Sequence, residues 1–207
     1  MKDLILASGS ARRRELMENC GYEFTVLPSW AEEDGVTSPD PAQRVEELSR
    51  LKAETVFASL EPERRANSVV VGSDTVVEFG GEILGKPRDN EDAARMLGLE
   101  SGGVNRVYTG LALVSQNEAG ETVVSVAHDV AAVRFAKLEE REIIDYIASG
   151  EPMDKAGAYG IQGRFSVFVE GVEGSYFTVV GLPVHLLYQG LKKLGVLPKK
   201  PGSEPQE

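Results

Sequence analysis

One cysteine and two histidines stand among the 207 residues, and that scarcity excludes two kinds of site at once. Cys20 has no partner for an internal disulfide, as is usual inside cells. It ends an amphipathic stretch and reads as core filler rather than a nucleophile. With only His128 and His185 beside it, a zinc centre lacks ligands, whereas a hard cation held by carboxylates stays compatible. Positive charge is also scarce: 22 Lys and Arg against 33 Asp and Glu give a formal charge of −11. That disfavours the extended basic face a nucleic acid needs, but not a small anion met by a local gathering of cations. No run approaches the roughly 20 apolar residues that cross a bilayer. The start of the chain has only Leu4 to Ala7 before polar residues return, too short for a signal-peptide core. The expected setting is the cytoplasm, with neither membrane nor nucleic acid as partner.

What is present, 42% hydrophobic and 27% charged residues, suffices for one substantial core, and one domain is expected over residues 1–197. Residues 198–207 hold three prolines and no large apolar side chain, which reads as a disordered tail. Leu4 to Ala7 is an apolar run stopped by Ser8-Gly9-Ser10, and Ala11 to Asn19 then carries strong helix formers with Ser10 as N-cap. Phe24 to Leu27 reads as a strand, Ser29 to Thr37 as an acidic loop, and Pro41 to Leu60 as a helix. The β-branched run Ser68 to Val71 predicts a buried strand that delivers Gly72-Ser73-Asp74-Thr75 at its carboxyl end. Val76 to Phe79 and Glu82 to Leu84 flank Gly80-Gly81 as a hairpin. A helix from Asn90 to Leu99, strands Val107 to Ser115 and Thr122 to Phe135, and a helix from Glu139 to Ala148 follow. Beyond them lie a glycine-rich segment, Gly157 to Gly163, a strand from Ser166 to Val169, and a last helix from Pro183 to Leu194. Helices alternating with strands and hairpins argue an α/β fold around a mixed sheet.

Four segments carry chemistry. From Leu4 to Arg14 a strand feeds a small-residue turn into a helix that begins with cations. Its first N–H groups, with Ser8 and the forks of Arg12 and Arg13 beside them, make an anion site. Arginines 12, 13 and 14 point about 100° apart, so at most two face one ligand. Asp74 stands where ligands of open α/β sheets bind, and can hold a divalent ion or deprotonate water. Gly85-Lys86-Pro87 presents a lysine on a stiffened backbone ahead of a helix. In Asp154 to Gly163, glycines at intervals of three allow close ligand approach, and the Gln162 amide can read a base edge because it both donates and accepts. Singly, each has an ordinary alternative: a solvated basic turn, a capped strand end, surface charge, a plain loop. Lys52 and Glu33 alone would be surface charges.

In order, these segments resemble the Maf family of nucleotide pyrophosphatases. The likeness runs through Leu6-Ala-Ser-Gly-Ser-Ala-Arg-Arg13, Glu32-Glu33 after Pro28, Lys52-Ala53, Gly72-Ser-Asp-Thr-Val-Val77, Gly85-Lys-Pro87, Val107-Tyr-Thr-Gly110, Asp154 to Gly163, and Val179-Val-Gly-Leu-Pro183. It implies an elongated mixed sheet flanked by helices, two lobes with a central cleft, an architecture similar to inosine triphosphate pyrophosphatases, and a need for Mg²⁺ or Mn²⁺. The Asp154 to Gly163 segment resembles the branch that converts dTTP and UTP to the monophosphate and pyrophosphate. The alternatives are the branch acting on 7-methyl-GTP, and a nucleotide-binding regulator of cell division without turnover. Under the resemblance, Asp74 activates water and Glu33 joins it on the metal. Arg13, Lys52 and Lys86 neutralise the triphosphate with Ser8 and the turn N–H groups supporting them, while Arg12, Thr75 and Gln162 select the base. A homodimer is likewise suggested by the family. Ala11 stands where proline is usual, Asn105 where histidine is, and Ser175 where an acidic residue is; none removes a residue assigned to chemistry.

Overall fold

The first apolar run forms a buried strand, β1 (Asp3–Leu6), in a computed structural model that describes residues 2–199. Ser10 caps α1 (Ala11–Asn19), its hydroxyl accepting from the Arg13 amide over 3.4 Å. Cys20 closes that helix half-buried against the core, where burial raises its thiol pKa. β2 (Thr25–Val26) pairs in parallel with β1, and β1 in parallel with the first residues of β3 (Ser68–Phe79). Between β2 and β3 run α2 (Pro41–Ser59), capped by Asp40, and the short α3 (Pro62–Ala66).

β3 departs most from the sequence reading. Gly72 to Thr75 do not end it; the strand continues to Phe79 because its far edge pairs antiparallel with β5 (Val104–Gln116), from Val69 opposite Ser115 to Glu78 opposite Arg106. What stops is the parallel neighbour on the near edge. β1 pairs no further than Val71, and β4 (Glu82–Leu84) takes up that edge only from Val77. Residues 72–76 are therefore left without a neighbouring strand on one side, and Asp74 and Thr75 lie in this gap.

The sheet has seven strands in the order β2-β1-β3-β5-β6-β7, with β4 on the side of β3; β6 (Thr122–Phe135) and β7 (Val169–Glu173) complete it. It is a mixed sheet flanked by helices, and its long strands serve two lobes. In the first lobe, Leu4, Leu6, Val69 and Leu113 pack with Met17 and with Leu187 of α7 (Val184–Lys193), while Ile5, Val70 and Val114 meet Val56 and Phe57 of α2 on the other face. In the second, Val77, Val107, Val133 and Phe135 pack under α4 (Asn90–Glu100) and α5 (Glu140–Ala148).

Helix α2 sits unusually low on the sheet. A Cβ on Gly72 would lie 2.1 Å from the Ser49 carbonyl oxygen, and one on Gly110 would lie 2.2 Å from that of Val45. Only glycine fits at either place, and the close approach brings Lys52 down onto the strand beside Asp74.

The expected strand from Ser166 to Val169 is mostly a 3-10 turn, Arg164–Phe168, and β7 begins only at Val169. Phe165 and Phe168, three residues apart, both pack against the second-lobe core, whereas Val167 between them is 78% exposed. That spacing suits a three-residue turn and not a pleated strand. A short helix, α6 (Tyr176–Val180), was not foreseen. The Lys199 amide donates to the Gly21 carbonyl; residues 200–207 of the expected tail lie outside the described residues. Among the described residues, no helix is long and apolar enough to cross a membrane.

Candidate active site

The gap beside β3 opens into a cleft of about 1120 Å³, at the upper end of the range for small-molecule sites. Ser8, Arg12, Arg13, Glu33, Lys52, Asp74, Thr75, Lys86 and Gln162 all line it. Direct contacts join six of these into two groups.

The first group centres on Arg13. Its Nε donates to the Gly181 carbonyl over 2.8 Å, Nη1 to the Ser8 hydroxyl over 3.1 Å, and Nη2 to the Thr75 hydroxyl over 3.1 Å. Three of the five guanidinium N–H groups are thus engaged within the protein. Burial pulls the pKa of Arg13 down, with Asp74 and Glu33 opposing. Gly181 follows α6 with a φ of +121°, a backbone that glycine adopts readily, and this turns its carbonyl toward Arg13 and Ser73.

The second group centres on Lys52. Its ammonium lies 2.6 Å from Asp74 Oδ1 and 3.1 Å from Glu33 Oε1. Asp74 comes from β3, Lys52 from α2 and Glu33 from the irregular segment before α2. Among the described residues no three His, Cys, Asp or Glu side chains gather as a metal cluster. Protein ligation of a cation here would rest on the two carboxylates that share Lys52.

Arg12, Lys86 and Gln162 line the cleft without hydrogen-bonding to the other six among the described residues. Arg12 instead pairs across the cleft with Asp154 at 3.3 Å, in the turn Glu151–Asp154 of the opposite lobe. Burial pushes the Asp154 pKa up, but Lys155 and Arg12 outweigh it and hold the carboxyl below its ordinary value. Lys86 is exposed. Gln162 stands on a loop closed from both ends: Glu151 accepts from the Arg164 amide at 3.0 Å and from the Tyr146 hydroxyl at 3.1 Å, and that hydroxyl accepts from the Gly160 amide.

Two charged residues of the cleft, Arg44 and Glu151, lie outside the segments singled out from sequence, and Asp154 and Lys155, which open one of those segments, had been given no role of their own. Arg44 was detectable, since Arg44, Leu48 and Lys52 recur at intervals of four and share one face of α2. The cleft then gathers six cations (Arg12, Arg13, Arg44, Lys52, Lys86, Lys155) against four carboxylates (Glu33, Asp74, Glu151, Asp154), in a chain of net charge −11. This is a local site for a small polyanion. Asn105 does not line it; it lies buried, donating to Glu100 over 2.7 Å and accepting from the Tyr159 hydroxyl at 3.2 Å.

A family model described as Maf-like protein matches residues 3–194. The chain belongs to the Maf family. Among Maf relatives, a protein of Agathobacter rectalis named dTTP/UTP pyrophosphatase is 49% identical over 95% of this chain and 99% of its own length. Proteins of the same name from Geobacillus sp. and Lachnoclostridium phytofermentans are 46% and 44% identical, covering 94% and 95% of this chain and 100% and 97% of theirs. A solved nucleoside-triphosphatase / dITP/XTP pyrophosphatase from Mycobacterium abscessus aligns over 95% of this chain and 98% of its own at 14% identity. Its TM-score of 0.39 makes that likeness too distant to inform the Maf site.

Proposed function

We propose that this Maf protein hydrolyses dTTP and UTP to the monophosphate and pyrophosphate, acting in the cytoplasm on free nucleotide. The observation that carries the reading is the Glu33–Lys52–Asp74 cluster on the wall of a cation-rich cleft, in a chain 44 to 49% identical to proteins named for that reaction. Water must attack the α-phosphorus in line with the departing pyrophosphate, on which negative charge accumulates, so electrostatic stabilisation dominates. Asp74 orients the water and takes its proton. Lys52 holds the Asp74 carboxylate in place and offers positive charge to the phosphates. Arg13 and Lys86, with Ser8 and the N–H groups opening α1, receive the rest of the triphosphate.

The residues present fit a hard divalent ion. Asp74 and Glu33 each direct one oxygen to Lys52, and among the described residues their second oxygens have no hydrogen bond. Mg²⁺ or Mn²⁺, when bound, would offset phosphate charge and favour a more acidic water, with the triphosphate supplying the ligands that two carboxylates cannot.

Base choice falls to Arg12, Thr75 and Gln162. Arg12 can only donate, which suits a uracil carbonyl and opposes the amino group of cytosine, a mismatch of about 1–3 kcal/mol when buried. The thymine methyl adds only ~1 kcal/mol in an apolar pocket, so dTTP and UTP are both accepted. The test is a panel of dTTP, UTP, CTP, ATP, GTP and 7-methyl-GTP with Mg²⁺, scored for pyrophosphate. Release from dTTP and UTP is expected; preference for 7-methyl-GTP, or orthophosphate as the product, overturns the reading.

A further inference from the structure

Thr75 and Thr109 face each other in register across β3 and β5, with hydroxyl oxygens 3.1 Å apart. Thr109 is wholly buried, and its hydroxyl lies 2.8 Å from the Thr178 carbonyl oxygen, a group that can only accept. A threonine hydroxyl carries one proton and two lone pairs. Thr109 therefore spends its proton on Thr178 and can only accept from Thr75. Thr75 in turn spends its proton on Thr109, and one of its lone pairs receives Arg13 Nη2 at 3.1 Å. What remains for an occupant of the cleft is one lone pair and no proton. The far end of the relay is fixed, because Thr178 is wholly buried and its own hydroxyl is tied to Asp129.

We infer that Thr75 is an acceptor-only hydroxyl that reads the ring N3–H of uracil or thymine, and that Thr109 is the positioning residue that sets this polarity. The inference rests on the dTTP/UTP reading and deepens it. An oxygen that cannot donate is mismatched to an ionised phosphate, which can only accept, so Thr75 belongs to the base end of the substrate. Uracil and thymine both carry a proton on N3 and satisfy it. Cytosine carries a lone pair there, and two acceptors brought face to face with no proton between them leave both unsatisfied. The ribose hydroxyls could also give a proton to Thr75, but UTP and CTP share them, so that contact cannot separate the two.

The test is kcat/KM for UTP and CTP, with Mg²⁺, in wild type, Thr109→Val, Thr109→Ser and Thr75→Val. Valine keeps the shape of threonine but accepts no proton, so Thr75 in T109V can turn its proton toward cytosine N3. The UTP:CTP ratio is expected to fall by about tenfold or more, mainly through a gain on CTP, and to recover in T109S, which restores the relay. T75V is expected to lower the ratio through a loss on UTP. Damage to packing alone would lower both substrates together and leave the ratio intact. If wild type prefers UTP and the ratio is unchanged in T109V, or in T75V should T109V not fold, the inference is overturned and the substrate reading stands. If wild type does not prefer UTP over CTP, both fall.

Discussion

The ammonium of Lys52 lies 2.6 Å from the carboxylate of Asp74, and the two side chains are only 13% and 14% exposed. This pair exists because two glycines let α2 settle on the sheet: Gly72 stands two residues before Asp74, on the same face of β3, and meets Ser49 and Ala53, on either side of Lys52 in α2. Glu33 reaches the same ammonium from outside at 3.1 Å, so Lys52 keeps a partner if Asp74 is neutralised.

Asp74→Asn is expected to lower kcat by ~10² to 10⁴ while the melting temperature changes little, because the base is removed and the shape is kept. Steady-state kinetics beside a thermal melt check this. Wild-type turnover in the variant, across several pH values and metal concentrations, would remove Asp74 from the chemistry.

Hydrolysis is expected to cease in excess EDTA and to return with Mg²⁺ or Mn²⁺, since the cleft offers oxygen ligands suited to hard cations. Activity that persists in metal-stripped protein and metal-free buffer would refute the metal requirement.

Gly72→Ala is expected to cost at least about 3 kcal/mol, because the new methyl would stand 2.1 Å from backbone oxygen rather than from a side chain that can move aside. Lifting α2 also draws Lys52 away from Asp74, so kcat should fall with stability. Urea unfolding and kinetics on one preparation decide it; a variant equal to wild type in both would refute the close seating of α2 on Gly72.

Glu100 predicts an unusual pH profile. It is wholly buried, one oxygen accepts from Asn105 at 2.7 Å, and the other has no partner among the described residues. Burial raises its pKa from 4.5 to about 8, with the Asn105 bond pulling partly back. The folded protein therefore keeps this proton where the unfolded chain has lost it. The stabilisation is fully present below about pH 4.5 and is lost as pH rises toward 8, at about 1.4 kcal/mol per unit of separation. Glu100→Gln, neutral throughout, should flatten the curve and be the more stable protein at pH 8. Urea titrations at pH 5 and pH 8 test this, and equal slopes in both proteins would rule Glu100 out as the source.

Much of the molecule was legible in its sequence. Ser10 as a cap, α1 residue for residue, and the presence of two long strands all follow from local propensity, and the motifs named nine residues that the fold gathers in one cleft. The unread parts depended on partners distant in sequence. Gly72-Ser73-Asp74-Thr75 looks like the end of a strand because its residues are small and polar, yet pairing with β5 carries the strand on. Arg13 reads as a free cation, but its ties to Gly181, Ser8 and Thr75 appear only once α6 is placed. Glu100 continues the buried face of α4 set by Ala93, Met96 and Leu97, a spacing visible in the sequence, but a carboxylate at a helix end reads as solvated, and Asn105 reveals its purpose only through that burial.

Strands β3, β5 and β6 run unbroken from one lobe into the other, and the cleft lies across their span. Widening it would mean bending three hydrogen-bonded strands together, so the two lobes are expected to move as one girder rather than as jaws on a hinge. Accommodation of a nucleotide then falls to the cleft segments outside the strands: the irregular stretch that carries Glu33 and the short turn around Gln162, between the anchored Gly160 and Arg164 amides. Ligand binding in solution should accordingly leave the overall dimensions of the molecule unchanged and register as slowed amide exchange in those two segments.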